Sequence, residues 1–226
     1  MKPRTRSISG ALLMLVIIPA IVGLLACMPV PIGDPERSRI DPALSGAWAG
    51  SDDEDSAGIW VFEPYDKRTW LLLSLGFTVT EDEAATGDYD LPSDAGLKQF
   101  IASHSVADDI VTPQNKIGLY KVWRTRLGGE WFMTWEPKGV FEGDDFTPEV
   151  WFAFRIRQPD ANTIELTMLG DKLFKDVEET RRAFERVVKK NARNPELYTD
   201  ETVRLIRLGS EHFGFVEDLA AEVIAE

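Results

Sequence analysis

The sequence predicts an α+β fold: a curled antiparallel β-sheet or partly open barrel, with C-terminal helices packed on it. Three observations predict it. Short apolar and aromatic runs recur between polar or glycine-containing breaks over residues 44–170, a pattern of successive strands. Two glycines, Gly128 and Gly129, separate two of these runs and supply the positive φ angles that a tight hairpin turn needs. Beyond Gly170 the apolar residues change to helical spacing.

The expected strands cover residues 47–49, 58–62, 69–77, 119–127, 130–136, 150–157 and 163–169, and all seven tryptophans fall in them. Aromatic and β-branched side chains suit a pleated, half-buried surface. Pairing outward from Gly128-Gly129 sets Arg126 opposite Trp131, Arg124 opposite Met133 and Val122 opposite Trp135. On the other face Thr125 meets Phe132, Trp123 meets Thr134, and Lys121 meets Glu136 as a cross-strand ion pair. Arg126 over Trp131 is an expected cation–π contact. In the next hairpin Val150, Phe152, Phe154 and Ile156 alternate with Trp151, Ala153, Arg155 and Arg157. After a turn at residues 159–162, Ile164, Leu166 and Met168 alternate with more polar residues, so one face is buried and one solvated.

Residues 93–104 interrupt the strands with a helix signal: Ser93 can cap it, and Leu97, Phe100, Ile101 and His104 share a face. Residues 176–191 carry Val177, Ala183, Phe184, Val187 and Val188 on one side. Lys189, Lys190 and Arg193 suit that helix's C-terminal dipole, and Pro195 stops it. Thr199 can cap a second helix holding Val203, Leu205, Ile206 and Leu208 before Gly209, and Ser210 a third running to Ile224.

The chain opens with Lys2, Arg4 and Arg6, continues with an apolar run over residues 11–25, and then reads Leu24-Leu25-Ala26-Cys27, Cys27 being its single cysteine. This start resembles the signal peptide and lipobox of a bacterial lipoprotein. The resemblance implies cleavage before Cys27, acylation of its thiol with chains such as palmitate, and anchorage in the cell envelope. Met28 stands where Asp would imply inner-membrane retention, so the expected address is the outer membrane facing the periplasm. A plain signal peptide shares the charged and apolar regions. An uncleaved anchor needs about 20 apolar residues, more than the run interrupted by Pro19 supplies.

The expected organisation is therefore a leader over 1–26, a lipidated Cys27 with a proline-rich tether over 27–43, a β domain over 44–170 and a helical segment over 171–226. Pro29, Pro31, Pro35 and Pro42 make residues 28–42 either an extended spacer or a strap along the domain surface. Net charge is −13, and loss of Lys2, Arg4 and Arg6 with the leader makes it −16. That balance argues against nucleic acid and against adhesion to anionic headgroups, which leaves the lipid chains to hold the domain at the membrane.

No catalytic motif stands out. His104 and His212 lie apart, without HExxH, and neither GxSxG nor a phosphate loop is present. The acidic clusters at 52–55, 81–83 and 142–145 lack calcium-loop spacing. No catalytic residue, metal or cofactor is assigned. Ser45-Gly46-Ala47-Trp48 is similar to the Gly-x-Trp opening of lipocalin-like barrels, which implies a tryptophan packed across the closed end. The expected function is a non-enzymatic module that binds a small apolar ligand, or an envelope partner protein, with Trp123, Trp131 and Trp135 as inward ligand-bearing aromatics. The alternatives are a structural or assembly factor with a filled core, and a hydrolase using acidic residues.

Overall fold

The computed structural model describes residues 28–51, 56–78, 93–104, 116–140 and 150–209. Eight strands form a closed antiparallel barrel in which each strand pairs with the next and the last pairs with the first. They are β1 (Gly46–Ser51), β2 (Ser56–Pro64), β3 (Trp70–Thr78), β4 (Lys116–Leu127), β5 (Glu130–Val140), β6 (Phe152–Asp160), β7 (Thr163–Leu169) and β8 (Tyr198–Arg207). Closure removes the unpaired edges that an open sheet would expose. Two α-helices lie among the described residues, α1 (Asp94–His104) and α2 (Arg181–Asn191). Neither is long and apolar enough to cross a membrane.

The glycine hairpin forms as its sequence dictates. Gly128 and Gly129 have φ of 60° and 92°, and β4 pairs with β5 in the expected register from Lys121↔Glu136 to Arg126↔Trp131. The expected Lys121–Glu136 ion pair does not form. Glu136 binds Lys138 at 2.8 Å, and Lys121 Nζ lies 5.9 Å above the Tyr65 ring.

The main correction concerns the C-terminal part. The residues expected as a second helix, from Thr199 to Leu208, form β8 instead, which pairs with both β7 and β1. Leu205 points into the barrel while Ile206 is buried on the other side of the wall. At its C-terminal end β8 is thus buried on both faces, and an apolar pair at 205–206 imitates a helical stripe. Of the expected C-terminal helices, α2 is present, beginning five residues later than expected, after its cap Thr180. The third, beyond Ser210, lies outside the described residues. So do the leader, Cys27, His212, the side chain of His104 and the three acidic clusters.

Residues 28–42 take the second of their two courses and run as a strap against the barrel wall. Met28 exchanges backbone hydrogen bonds with Trp151 at 2.8 and 3.0 Å. Ile32 is fully buried, and its carbonyl accepts from Trp123 Nε1 at 2.9 Å and Thr134 Oγ1 at 2.8 Å. The Arg124 amide donates to Ser38 Oγ at 3.0 Å. The prolines here suit a path that needs few of its own amides, and Pro35 opens a single 3-10 turn over Pro35–Arg37.

Two apolar clusters sandwich part of the wall. One fills the barrel and is built on Trp48, Phe62, Trp70, Leu72, Val122 and Met133. The other lies outside it and joins the strap (Met28, Ile32) to Phe132 and Ala153 of the wall and Phe184 and Val188 of α2. Phe174 stacks on Phe184 at 4.8 Å between ring centroids. Across the barrel, α1 packs over β1, with Leu97 buried and Asp94 paired to Arg204 of β8.

Candidate functional site

Alternation along each strand decides which side chains enter the barrel. At the end bearing the tight turns the interior is sealed. Trp48 and Trp70 are fully buried there. Trp48 Nε1 donates to the Leu44 carbonyl at 2.9 Å, and Trp70 Nε1 to Ser45 Oγ at 3.3 Å. The arrangement is that expected from Gly46-Ala47-Trp48, a tryptophan across a closed end.

The opposite end carries the long connections and is lined differently. Trp60, Tyr120, Phe152, Met168 and Val203 pack on the interior cluster at this end and are only partly buried. Among them stands Trp135, whose ring lies 4.5 Å from Phe154, 5.5 Å from Tyr120 and 6.5 Å from Phe62. Phe152 closes on Tyr120 at 6.2 Å, edge to face. Burial pushes the Tyr120 hydroxyl above its ordinary pKa. Trp135 is 7% exposed, and its Nε1 is buried with no hydrogen-bond partner among the described residues. A buried, unpaired N–H of this kind costs about 1–3 kcal/mol, and most buried tryptophans avoid it.

Part of the wall in β1–β3 carries no side chains. Gly50 of β1 pairs with Gly58 of β2, which pairs with Gly76 of β3, giving one rung without side chains across three strands. The Trp60 indole lies on it: a Cβ placed on Gly58 would stand 2.5 Å from Trp60 Cη2. Glycine weakens a strand interior and marks close approach by another group, here an aromatic ring.

The three tryptophans singled out from the sequence do not converge. Trp135 belongs to the cluster just described. Trp131 points inward but sits at the sealed end, where it is 39% exposed. Trp123 is not an inward residue: it is 2% exposed on the outer wall beneath the strap. The β4–β5 register already sets it on the face opposite Val122 and Trp135. Tyr120, Phe152, Trp60 and the glycine rung were missed in the sequence. Their inward alternation with Val122, Phe154 and Phe62 was the available signal.

A cleft of about 420 Å³ lies at the sealed end, lined by residues including Asp41, Arg124, Glu130, Trp131, Arg157 and Glu165. Arg124 binds Asp41 at 2.8 Å and stacks over Trp131 at 4.2 Å, with Arg126 at 5.8 Å. Its mixed charges largely satisfy one another. Among the described residues no group of three or more His, Cys, Asp or Glu side chains is placed to hold a metal.

Fold and site together define an eight-stranded, up-and-down antiparallel barrel, consistent with a lipocalin-like barrel, sealed at one end and lined with aromatics at the other. Comparison with known protein families, with curated proteins and with solved structures finds no match to this chain.

Proposed function

We propose that the protein is a lipid-anchored envelope lipoprotein whose barrel binds one small apolar molecule at the end opposite Trp48. The ligand carries an uncharged hydrogen-bond acceptor, such as a ketone or ester carbonyl, which meets Trp135 Nε1. The observation that carries this reading is the orphaned Nε1 of Trp135, held among Phe62, Tyr120, Phe152 and Phe154. An acceptor brought by a ligand would relieve a standing cost, and an ionised acceptor would be penalised by the apolar surroundings. Eight strands enclose a space that suits either packed side chains or one small ligand. Here the sealed half holds the former and the partly buried half suits the latter. In this reading Cys27 carries the acyl chains and the molecule faces the periplasm from the outer membrane.

The test uses prodan, an apolar naphthalene with a ketone, alongside 2-dimethylaminonaphthalene, which lacks the ketone. Prodan is expected to bind one per barrel with a blue-shifted emission. Trp135→Phe is expected to weaken prodan by about tenfold, the value of one lost hydrogen bond in a dry site, and to leave the ketone-free probe unchanged. Absence of saturable binding by either probe would favour the alternative, a structural envelope factor with a filled core.

A further inference from the structure

We infer that the outer face of α2 is a docking surface for anionic phospholipid headgroups and seats the barrel side-on against the membrane that holds its anchor. The inference rests on the reading of Cys27 as the lipid-bearing residue, and two independent observations lead to it.

The first is where the chain emerges. Met28 is 4% exposed and clamped to Trp151 by two backbone hydrogen bonds. The Cα of residue 27 lies within about 3.8 Å of that of Met28 by covalent geometry. An acyl chain on Cys27 therefore hangs directly from the barrel wall with no spacer, and the surface around Met28 must meet the bilayer. That surface includes α2, which shares an apolar cluster with Met28 and Ile32. It is also tied to the strap by the Gly33 amide, which donates to Glu185 Oε1 at 3.0 Å.

The second is charge. In a chain of net charge −13, α2 holds Arg181, Arg182, Arg186, Lys189 and Lys190 against one acid, Glu185. Arg182, Arg186, Lys189 and Lys190, followed by Arg193, fall at i, i+4, i+7, i+8 and i+11, on one side of the helix. All five are exposed, and none has an ion-pair partner among the described residues. Glu185, the one acid, is turned inward onto Gly33. The face opposite the buried Phe184 and Val188 is thus purely cationic. Net charge, read over the whole chain, hides this stripe. A basic helix beside a lipid anchor completes the pair of signals that stable attachment takes, and basic residues near an anionic leaflet each add attraction.

The experiment uses the full protein purified from its host envelope and reconstituted by its own anchor into vesicles. One set is phosphatidylcholine alone, the other an equimolar mixture with phosphatidylglycerol. Acylation of each lysine by a water-soluble succinimidyl ester is followed by mass spectrometry. Lys189 and Lys190 are expected to react about fivefold more slowly on the anionic vesicles, while Lys67 and Lys98 are unaffected. At 1 M salt, where the Debye length is about 3 Å, the protection should vanish. Arg182→Gln/Arg186→Gln is expected to reduce it without touching the core. Equal rates on the two vesicles, or equal slowing of all four lysines, would overturn the docking surface. The mass of the N-terminal peptide reports the acyl chains separately, so a missing lipid on Cys27 and a failed stripe are distinguishable outcomes.

Discussion

The guanidinium of Arg207 lies 4.1 Å above the indole of Trp48, which brings the end of the last strand over the start of the first. From that position its Nη1 donates to the Ser45 carbonyl at 3.0 Å, its Nη2 to Ala43, and its Nε to the Ala161 carbonyl at 3.3 Å. One side chain thus ties the entry into β1, the β6–β7 turn and the end of β8. Burial pulls the Arg207 pKa down, but a guanidinium stays charged regardless.

Arg207→Lys keeps the charge and loses the planar fork. It is expected to lower unfolding stability by about 1–3 kcal/mol, read as a drop in the urea midpoint with an unchanged slope. A midpoint equal to the parent's would show that the barrel seal does not depend on this stack.

Trp135→Phe and Trp48→Phe should differ, although both remove part of a buried indole. Trp48→Phe strips the Leu44 carbonyl of its donor, whereas Trp135→Phe removes an N–H that has no partner among the described residues. The void left in each case costs on the order of 1 kcal/mol, and relief of the orphan offsets it only at Trp135. Trp48→Phe is therefore expected to be more destabilising by about 1–2 kcal/mol. Equal losses in thermal unfolding would mean that Trp135 Nε1 is satisfied in the apo protein.

Gly58→Ala should be costly although alanine is the smallest possible change. The added methyl would meet Trp60 Cη2, Cζ3 and Cζ2 at 2.5–3.0 Å, so the indole must leave the glycine rung. The expected loss is about 1–3 kcal/mol, with a shift in tryptophan emission as Trp60 moves. Unchanged emission and stability would show that Trp60 does not rest on that wall.

The α1 contact should loosen in acid. Hydrogen bonds from Arg204, with help from its charge, hold the Asp94 carboxyl below its ordinary value near 3.8. A depressed folded-state pKa adds stability that is present above the unfolded value and lost as pH falls through the folded one. The weakening is thus expected below about pH 4. Both side chains are about half exposed, so the pair is worth no more than about 0.5 kcal/mol. Amide exchange in α1 that rises below pH 4 in the parent, and shows no such rise in Asp94→Asn, is the expected signature. Identical acid profiles would remove the pair from the account.

Much of the barrel was legible because its hairpins are local. Gly128 and Gly129 dictate both the turn and the register, and the cross-strand partners follow by counting. What failed was long-range. Leu205 and Ile206 are adjacent apolar residues on opposite faces of a wall buried on both sides, and such a run cannot be told from a helix by periodicity alone. That one misreading had two consequences, since without β8 the sheet stays partly open and the C-terminal part becomes entirely helical. The site was less legible for a similar reason. Trp123 and Trp135 are alike as residues, and only their opposite parity along the hairpin separates a strap anchor from a ring inside the barrel. The rung of Gly50, Gly58 and Gly76 is invisible until three strands are laid in register.

Native mass spectrometry of the protein taken gently from its host envelope bears most directly on the proposal that the barrel holds an apolar guest. The expected spectrum shows one noncovalent small-molecule adduct per chain, released by collisional activation and depleted in Trp135→Phe. A spectrum in which parent and variant carry nothing beyond their covalent mass, while the prodan titration also fails, would contradict the account.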